Sequence, residues 1–395
     1  MTSDSETSFD LASVHLVALC AGDEVPFGLS ADHWHAVVER AVQHRVVPIL
    51  YSQLRKRSDL SLPDDELSAL RYSVQMNAAR TLALAGEMRK MLARFEDAQI
   101  PVVVFKGIAL SAALYDDVSM REAGDLDLLV HRKDIAAAVD LLVAAGHAPF
   151  FPTATPRESS YLSGLTARAR INYLQSHCEH HLVHPVSKLN VDLHWAFSLR
   201  EFAVSLDPTA LWSRAVTQSV AGFDAQTPGP TDMLVILCLN GGKDRWERLD
   251  RICDVAALVQ SLPNDAWTEI LSLAAQAGMA RMLAIGLLLA VELLKAPVPN
   301  EVTEKLAQDR KAVQIADGLR RRLLTVTSAS TPPKALGFGL DLQMRERVSD
   351  RLRYIAGHLR PGVGDWAAVP LPPILSPLHY VIRPFRLMTR YGFSQ

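Results

Sequence analysis

Long hydrophobic runs are missing from this chain. The uncharged stretch MLAIGLLLAV, Met282–Val291, ends at Glu292, well short of the about 20 residues that a bilayer-spanning helix needs, so it reads as a buried helix. The N-terminal MTSDSETSFD is polar and acidic, without the basic start and apolar core of a signal peptide. Cysteine is scarce: Cys20, Cys178, Cys238 and Cys253 contain no CxxC pair. Free buried thiols in a reducing cytoplasm are therefore expected rather than a disulfide framework. An excess of either charge is also lacking. With 41 Lys and Arg against 43 Asp and Glu, the formal net charge is -2, which gives no reason to expect a polyanion held by bulk electrostatics. Nucleic acid is not an expected partner, although a local basic groove would suffice. No tandem repeat or long low-complexity tract is evident.

What is present is ordinary globular material, 49% hydrophobic and 21% charged, in a chain long enough for two or three domains. Residues from about 31 to 98 read as helices. Leu84, Met88, Met91, Leu92 and Phe95 recur at helical spacing. The period then changes. PVVVFKG, Pro101–Gly107, is β-branched and aromatic and stops at glycine, which predicts a buried strand. IALSAALY predicts a short helix, GDLDLLV a second buried strand, and KDIAAAVDLLVAAGH a helix burying Ile135, Val139, Leu142 and Val143.

Residues 151–176, with Arg157, Arg168 and Arg170, read as a loop or partly helical excursion. HHLVHPVSKLNVDLHWAF reads as a hairpin turning at PVSK. The pattern from about 205 to 330 is almost wholly helical, and the remainder is rich in proline. These readings predict an α+β fold, a small mixed β-sheet core with helices, flanked by N-terminal and C-terminal helical regions. Its expected divisions are 1–80, a core over 81–200, a helical domain over 201–330 and a proline-containing tail over 331–395.

REAGDLDLLV, Arg121–Val130, carries the chemistry. On a strand, Asp125 and Asp127 share one face, with Cα atoms roughly 6.5 to 7 Å apart. Two carboxylates so close beside a core are costly unless a cation or proton neutralises one of them. In the later strand Asn190, Asp192 and His194 share a face. Asp125, Asp127 and Asp192 on adjacent strands would form a hard oxygen site for Mg²⁺ or Mn²⁺. A pair of such ions would bridge the phosphates of a nucleoside triphosphate, activate an attacking hydroxyl and stabilise leaving pyrophosphate. Lys106 and Gly107 supply the other half: Gly107 lets backbone approach a phosphate, and the helix from Ile108 aims free N–H groups at it. Lys106 and Arg121 are candidate triphosphate clamps.

FKGIALSAALYDDVSMREAGDLDLLV, followed by VDLHW, resembles the bacterial uncharacterised nucleotidyltransferase family of the polymerase-beta-like superfamily. The resemblance rests on Lys106, Gly107, Tyr115, Arg121, Gly124, Asp125, Asp127, Asp192, His194 and Trp195. In GGKDRWERLDRICDVAALV, Trp246, Leu249 and Asp254 occupy the places of a helical region found in that family. It implies a metal-dependent transfer of a nucleoside monophosphate to an acceptor, a small molecule, peptide or protein, in a setting such as peptide natural-product or surface-polysaccharide biosynthesis. Asp125, Asp127 and Asp192 would be catalytic metal ligands. Lys106, Gly107, Arg121, Gly124 and Lys243 would face the nucleotide, with His194 and Tyr115 in support.

Ile108 stands where the wider superfamily has a small residue or hydroxyl, and Asn240 and Asp244 stand where related sequences tend to have His. The first departure motivates the alternative of a binding module that holds a nucleotide or peptide without transfer. Two other features have plainer readings. In HCEHHLVH, His177, Cys178, His180, His181 and His184 cannot all converge from one strand, which argues against zinc. LHYVIRPFRLMTRYGF mixes aromatics with Arg383, Arg386 and Arg390, which suits either peripheral membrane contact or packing back onto the helices.

Overall fold

Helices α1 (Leu11–Ala21), α2 (Ala31–Gln43), α3 (Val47–Leu54) and α4 (Asp64–Asp97) precede the first strand. The computed structural model describes residues 9–150, 177–199, 202–325, 334–369, 371 and 373–391. The arginine-bearing excursion at 151–176 therefore lies outside the described residues. Asp10 caps α1 by accepting from the backbone N–H of Ala12, and Gly22 ends it at φ 78°. In α4, Asp64, Asp65 and Glu66 sit in the first turn, where they complement the helix dipole. Its buried stripe is Leu84, Met88, Met91 and Phe95.

The sheet comprises β1 (Val102–Val104), β2 (Asp125–Val130), β3 (Ala148–Phe150), β4 (Glu179–Val183) and β5 (Asn190–His194), with α5 (Gly107–Tyr115) and α6 (Ile135–Ala144) in the crossovers. Strand order is β1-β2-β5-β4-β3. Strands β2 and β5 are parallel; the other pairs are antiparallel. The fold is thus α+β around a small mixed sheet, as the sequence predicts. One face of the sheet carries Leu126, Leu128, Leu182, Val191 and Leu193 into a core with α4 and α6. Within α6, Ile135, Val139 and Leu142 are buried, whereas Val143, expected beside them, is exposed. It lies one position past Leu142, about 100° round the helix and off the narrow buried stripe.

Beyond the sheet come α7 (Pro208–Trp212), the hairpin β6 (Val216–Val220) and β7 (Phe223–Thr227), then α8 (Pro230–Lys243), α9 (Leu249–Ser261), α10 (Ala266–Ala277), α11 (Ala280–Leu294), α12 (Asn300–Ala307) and α13 (Arg310–Leu324). The hairpin corrects the expectation of an almost wholly helical stretch. In VTQSV and FDAQT, Val220, Ala225 and Thr227 are the buried positions, so the alternation that signals a strand is nearly silent. Packing against α5 and β1 holds it instead. The Met282–Val291 run lies in α11, buried as expected, and among the described residues no helix is long and apolar enough to cross a membrane. Leu16, Trp34 and Leu50 of α1–α3 share one core with Leu234, Ile252 and Ile285 of α8, α9 and α11.

The C-terminal residues form α14 (Lys334–Met344), α15 (Val348–Leu359), α16 (Val363–Ala368) and α17 (His379–Tyr391). Pro361 lies between α15 and α16, whereas Pro384 lies inside α17. Arg345 anchors the first part. It is fully buried, donates to the Phe202 carbonyl from Nε (3.0 Å) and Nη2 (2.6 Å), and stacks on Tyr354. In α17, Arg383 and Arg386 turn inward onto Asp365, leaving Tyr380, Val381 and Phe385 exposed.

Candidate active site

The parallel register of β2 and β5 sets Asp127 opposite Asp192 and Asp125 opposite Asn190. Alternation sends Leu126 and Leu128 to the apolar core on the opposite face, so the same strand builds both the core and the site. Strand β4 then brings two further side chains to this face, because His181 pairs in register with Asp192 and Glu179 with His194.

The side chains form a connected cluster. His181 Nδ1 lies 2.7 Å from Asp192 Oδ1. His194 Nε2 lies 3.0 Å from Asp127 Oδ1, and its Nδ1 lies 3.2 Å from Glu179 Oε2. Lys106 Nζ, arriving from the end of β1, donates to Asp127 Oδ1 at 3.1 Å. Asp127, Asp192 and His194 each offer one ligand atom within 4.8 Å of the others. Asp127 and His194 are buried, whereas Asp192 is half-buried. Two carboxylates and an imidazole are a reasonable donor set for a divalent ion.

Charge in the cluster is unbalanced toward the negative. Burial works to raise the Asp127 carboxyl, yet Lys106 and His194 hold it well below the usual carboxylate range. Burial opposes the Lys106 charge too, but the Asp127 carboxylate outweighs that and leaves the ammonium above its ordinary value. Asp125 has no such relief: burial, then repulsion from Asp127 and Asp192, pushes it up. Burial likewise opposes the Glu179 charge, while His194, Lys243 and His181 hold its carboxyl down. The hydrogen bond to Asp192 raises His181. Four acids around one lysine and two histidines form a place that favours an added cation.

The other sequence-predicted residues take varied positions. Gly107 opens α5 at φ 57°, and a Cβ there would sit 3.2 Å from the Asp125 carbonyl oxygen. Gly124 is exposed, just ahead of β2. Arg121, expected at the triphosphate, is buried: Nε donates to Asp254 Oδ1 at 2.8 Å and Nη1 to the Gly107 carbonyl at 3.2 Å. Tyr115 keeps its hydroxyl buried without a hydrogen-bond partner among the described residues, and burial pushes it well above the ordinary phenol value. Lys243 donates to the Phe197 carbonyl at 3.3 Å and also favours the Glu179 charge, so it borders the cluster from the helical side.

Sequence reasoning missed Glu179 and His181. Their signal was the E-x-H alternation inside HCEHHLVH, which reads first as a histidine cluster. His180 faces the opposite side of β4 from His181, which is why those histidines do not converge. All four cysteines are free, and burial pushes Cys178 up to about 12.

A family model described as an uncharacterised nucleotidyltransferase matches residues 30–295. The chain belongs to this nucleotidyltransferase family. The match takes in α2–α4, the whole sheet and the helices through α11, so both walls of the acidic cluster lie inside it. A crystal structure of an antigenic nucleotidyltransferase-like protein from Paracoccidioides brasiliensis is similar over 52% of this chain and 91% of that one, at 14% identity and a TM-score of 0.26. No curated protein matches the chain.

Proposed function

We propose that this protein transfers a nucleoside monophosphate from an NTP to an acceptor oxygen, with release of pyrophosphate. The observation that carries the reading is the register pairing of Asp127 with Asp192 on adjacent parallel strands, beside Asp125 and Lys106. Asp125, Asp127 and Asp192 would hold Mg²⁺ or Mn²⁺, two ions in the full complex. When bound, such ions neutralise phosphate charge and lower the pKa of the attacking hydroxyl.

The chain's own residues have distinct tasks in this reading. Lys106 moves from Asp127 toward the incoming phosphates, and the first N–H groups of α5 receive a phosphate oxygen. Gly107 and Gly124 keep that approach open. Lys243 offers a second cation from the helical side. Arg121 acts from below: by holding the Gly107 carbonyl against Asp254 it fixes the turn rather than clamping the triphosphate. Tyr115 packs in support of α5. The NTP and acceptor meet between the 81–200 core and the 201–330 helices, in a cytoplasmic protein.

Labelled ATP, CTP, GTP and UTP, each with Mg²⁺ or Mn²⁺, are incubated with candidate acceptors. Label transfer with pyrophosphate release from one NTP, abolished by Asp127→Ala, supports the proposal. Ile108, fully buried in the first turn of α5 where a phosphate-holding hydroxyl would stand, favours a second reading: a module that binds nucleotide without transfer. Nucleotide binding indifferent to Asp192→Asn, with no pyrophosphate, selects that reading.

A further inference from the structure

His194 sits between two carboxylates, with Nε2 3.0 Å from Asp127 Oδ1 and Nδ1 3.2 Å from Glu179 Oε2. Asp127, Asp192 and His194 each offer one ligand atom within 4.8 Å of the others, so Nε2 faces the same space as the two carboxylates. A cation held there by Nε2 leaves Nδ1–H to donate to Glu179, 3.2 Å away. A carboxylate on the far nitrogen of a histidine is the arrangement that orients imidazoles toward metal ions and raises their basicity.

We infer that His194 is a metal ligand through Nε2, aligned by Glu179, so that the centre of Asp127, Asp192 and His194 prefers a transition-metal dication to Mg²⁺. This rests on the nucleotidyltransferase reading only for the metal's use, not for its binding. It revises the expectation that His194 stands only in a supporting role. The chemistry follows from the donor set. Mg²⁺ favours oxygen ligands and keeps several waters, whereas imidazole suits Zn, Cu, Fe and Ni, with Mn²⁺ as the paramagnetic ion through which a bound nitrogen can be read. Glu179 is a positioning residue here, because it reaches the ion only through His194. His181 has a parallel task, holding Asp192 Oδ1 at 2.7 Å.

The test uses Mn²⁺ alone, on the full-length protein, without nucleotide. Electron spin-echo measurements on bound Mn²⁺ should show coupling to a directly bound ¹⁴N, and calorimetry should show Mn²⁺ binding at least tenfold tighter than Mg²⁺. His194→Gln should abolish the ¹⁴N coupling and bring the two affinities together. Glu179→Gln should keep the coupling while weakening Mn²⁺ about 10- to 100-fold. Wild-type protein without ¹⁴N coupling overturns the inference, whatever the variants do. Coupling that survives in His194→Gln also overturns it, since the nitrogen then belongs to another residue. A positive Mn²⁺ result with no nucleotide transfer would fail the proposed function while leaving this inference standing.

Discussion

Arg121 and Asp254, 133 positions apart, form a buried ion pair with Nε 2.8 Å from Oδ1. It ties the loop before β2 to α9, and so joins the sheet to the helical region behind the Gly107 turn. Burial opposes the Arg121 charge, and Asp254 more than offsets it. Asp254→Ala leaves a guanidinium buried without its partner and should cost about 3–5 kcal/mol. The double variant Arg121→Met/Asp254→Leu should cost less than either single change. Urea unfolding of the three variants checks the order.

Gly107→Ala tests the turn itself. The new side chain must adopt φ 57° and meet the Asp125 carbonyl oxygen at 3.2 Å. A loss of about 1–2 kcal/mol is expected from the backbone alone. Thermal unfolding should show it, whereas Gly22→Ala, also at positive φ but facing open space, should show only the backbone cost.

Lys106→Met should weaken nucleotide binding at least tenfold, about 1.4 kcal/mol or more. It removes the ammonium now held by Asp127 and proposed to meet the phosphates. Titration with a fluorescent NTP at fixed Mn²⁺ reads this directly. Unchanged affinity would place the triphosphate elsewhere.

Much of this site was legible because strand alternation is rigid. Once GDLDLLV and LNVDLHW are strands, Asp125, Asp127, Asp192 and His194 must share their respective faces. Which strands lie side by side is a tertiary choice, and the parallel direction of the β2–β5 pair is written in the periodicity of neither strand. Arg121 was read as a triphosphate clamp because a cation beside acids invites that role, whereas its buried partner Asp254 lies far along the chain. Glu179 and His181 were hidden within a run of histidines. The β6–β7 hairpin was invisible since polar residues fill most of its positions. Proline in the C-terminal residues suggested a tail, although Pro384 is accommodated inside α17.

Asp365 anchors α17, accepting from the Gly362 N–H at 2.8 Å, from Arg386 Nε at 2.6 Å and from Arg383. Burial acts to raise its carboxyl, but these donors bring it below its ordinary 3.8. A depressed carboxyl contributes stability above the unfolded value, lost as pH falls through the lower folded one. The α17 helix should therefore gain hydrogen exchange as pH drops below about 3.8. Asp365→Asn should show the faster exchange already at neutral pH, with a flatter acid response.

The central claim is that the Asp127–Asp192 pair holds a metal–nucleotide complex. Its most direct test is calorimetric titration of each NTP into the protein with Mn²⁺, repeated on Asp127→Asn and Asp192→Asn. Saturable, metal-dependent binding of at least one NTP, abolished by both substitutions, is the expected result. No binding of any NTP with either Mn²⁺ or Mg²⁺, or binding that both variants retain unchanged, would contradict it.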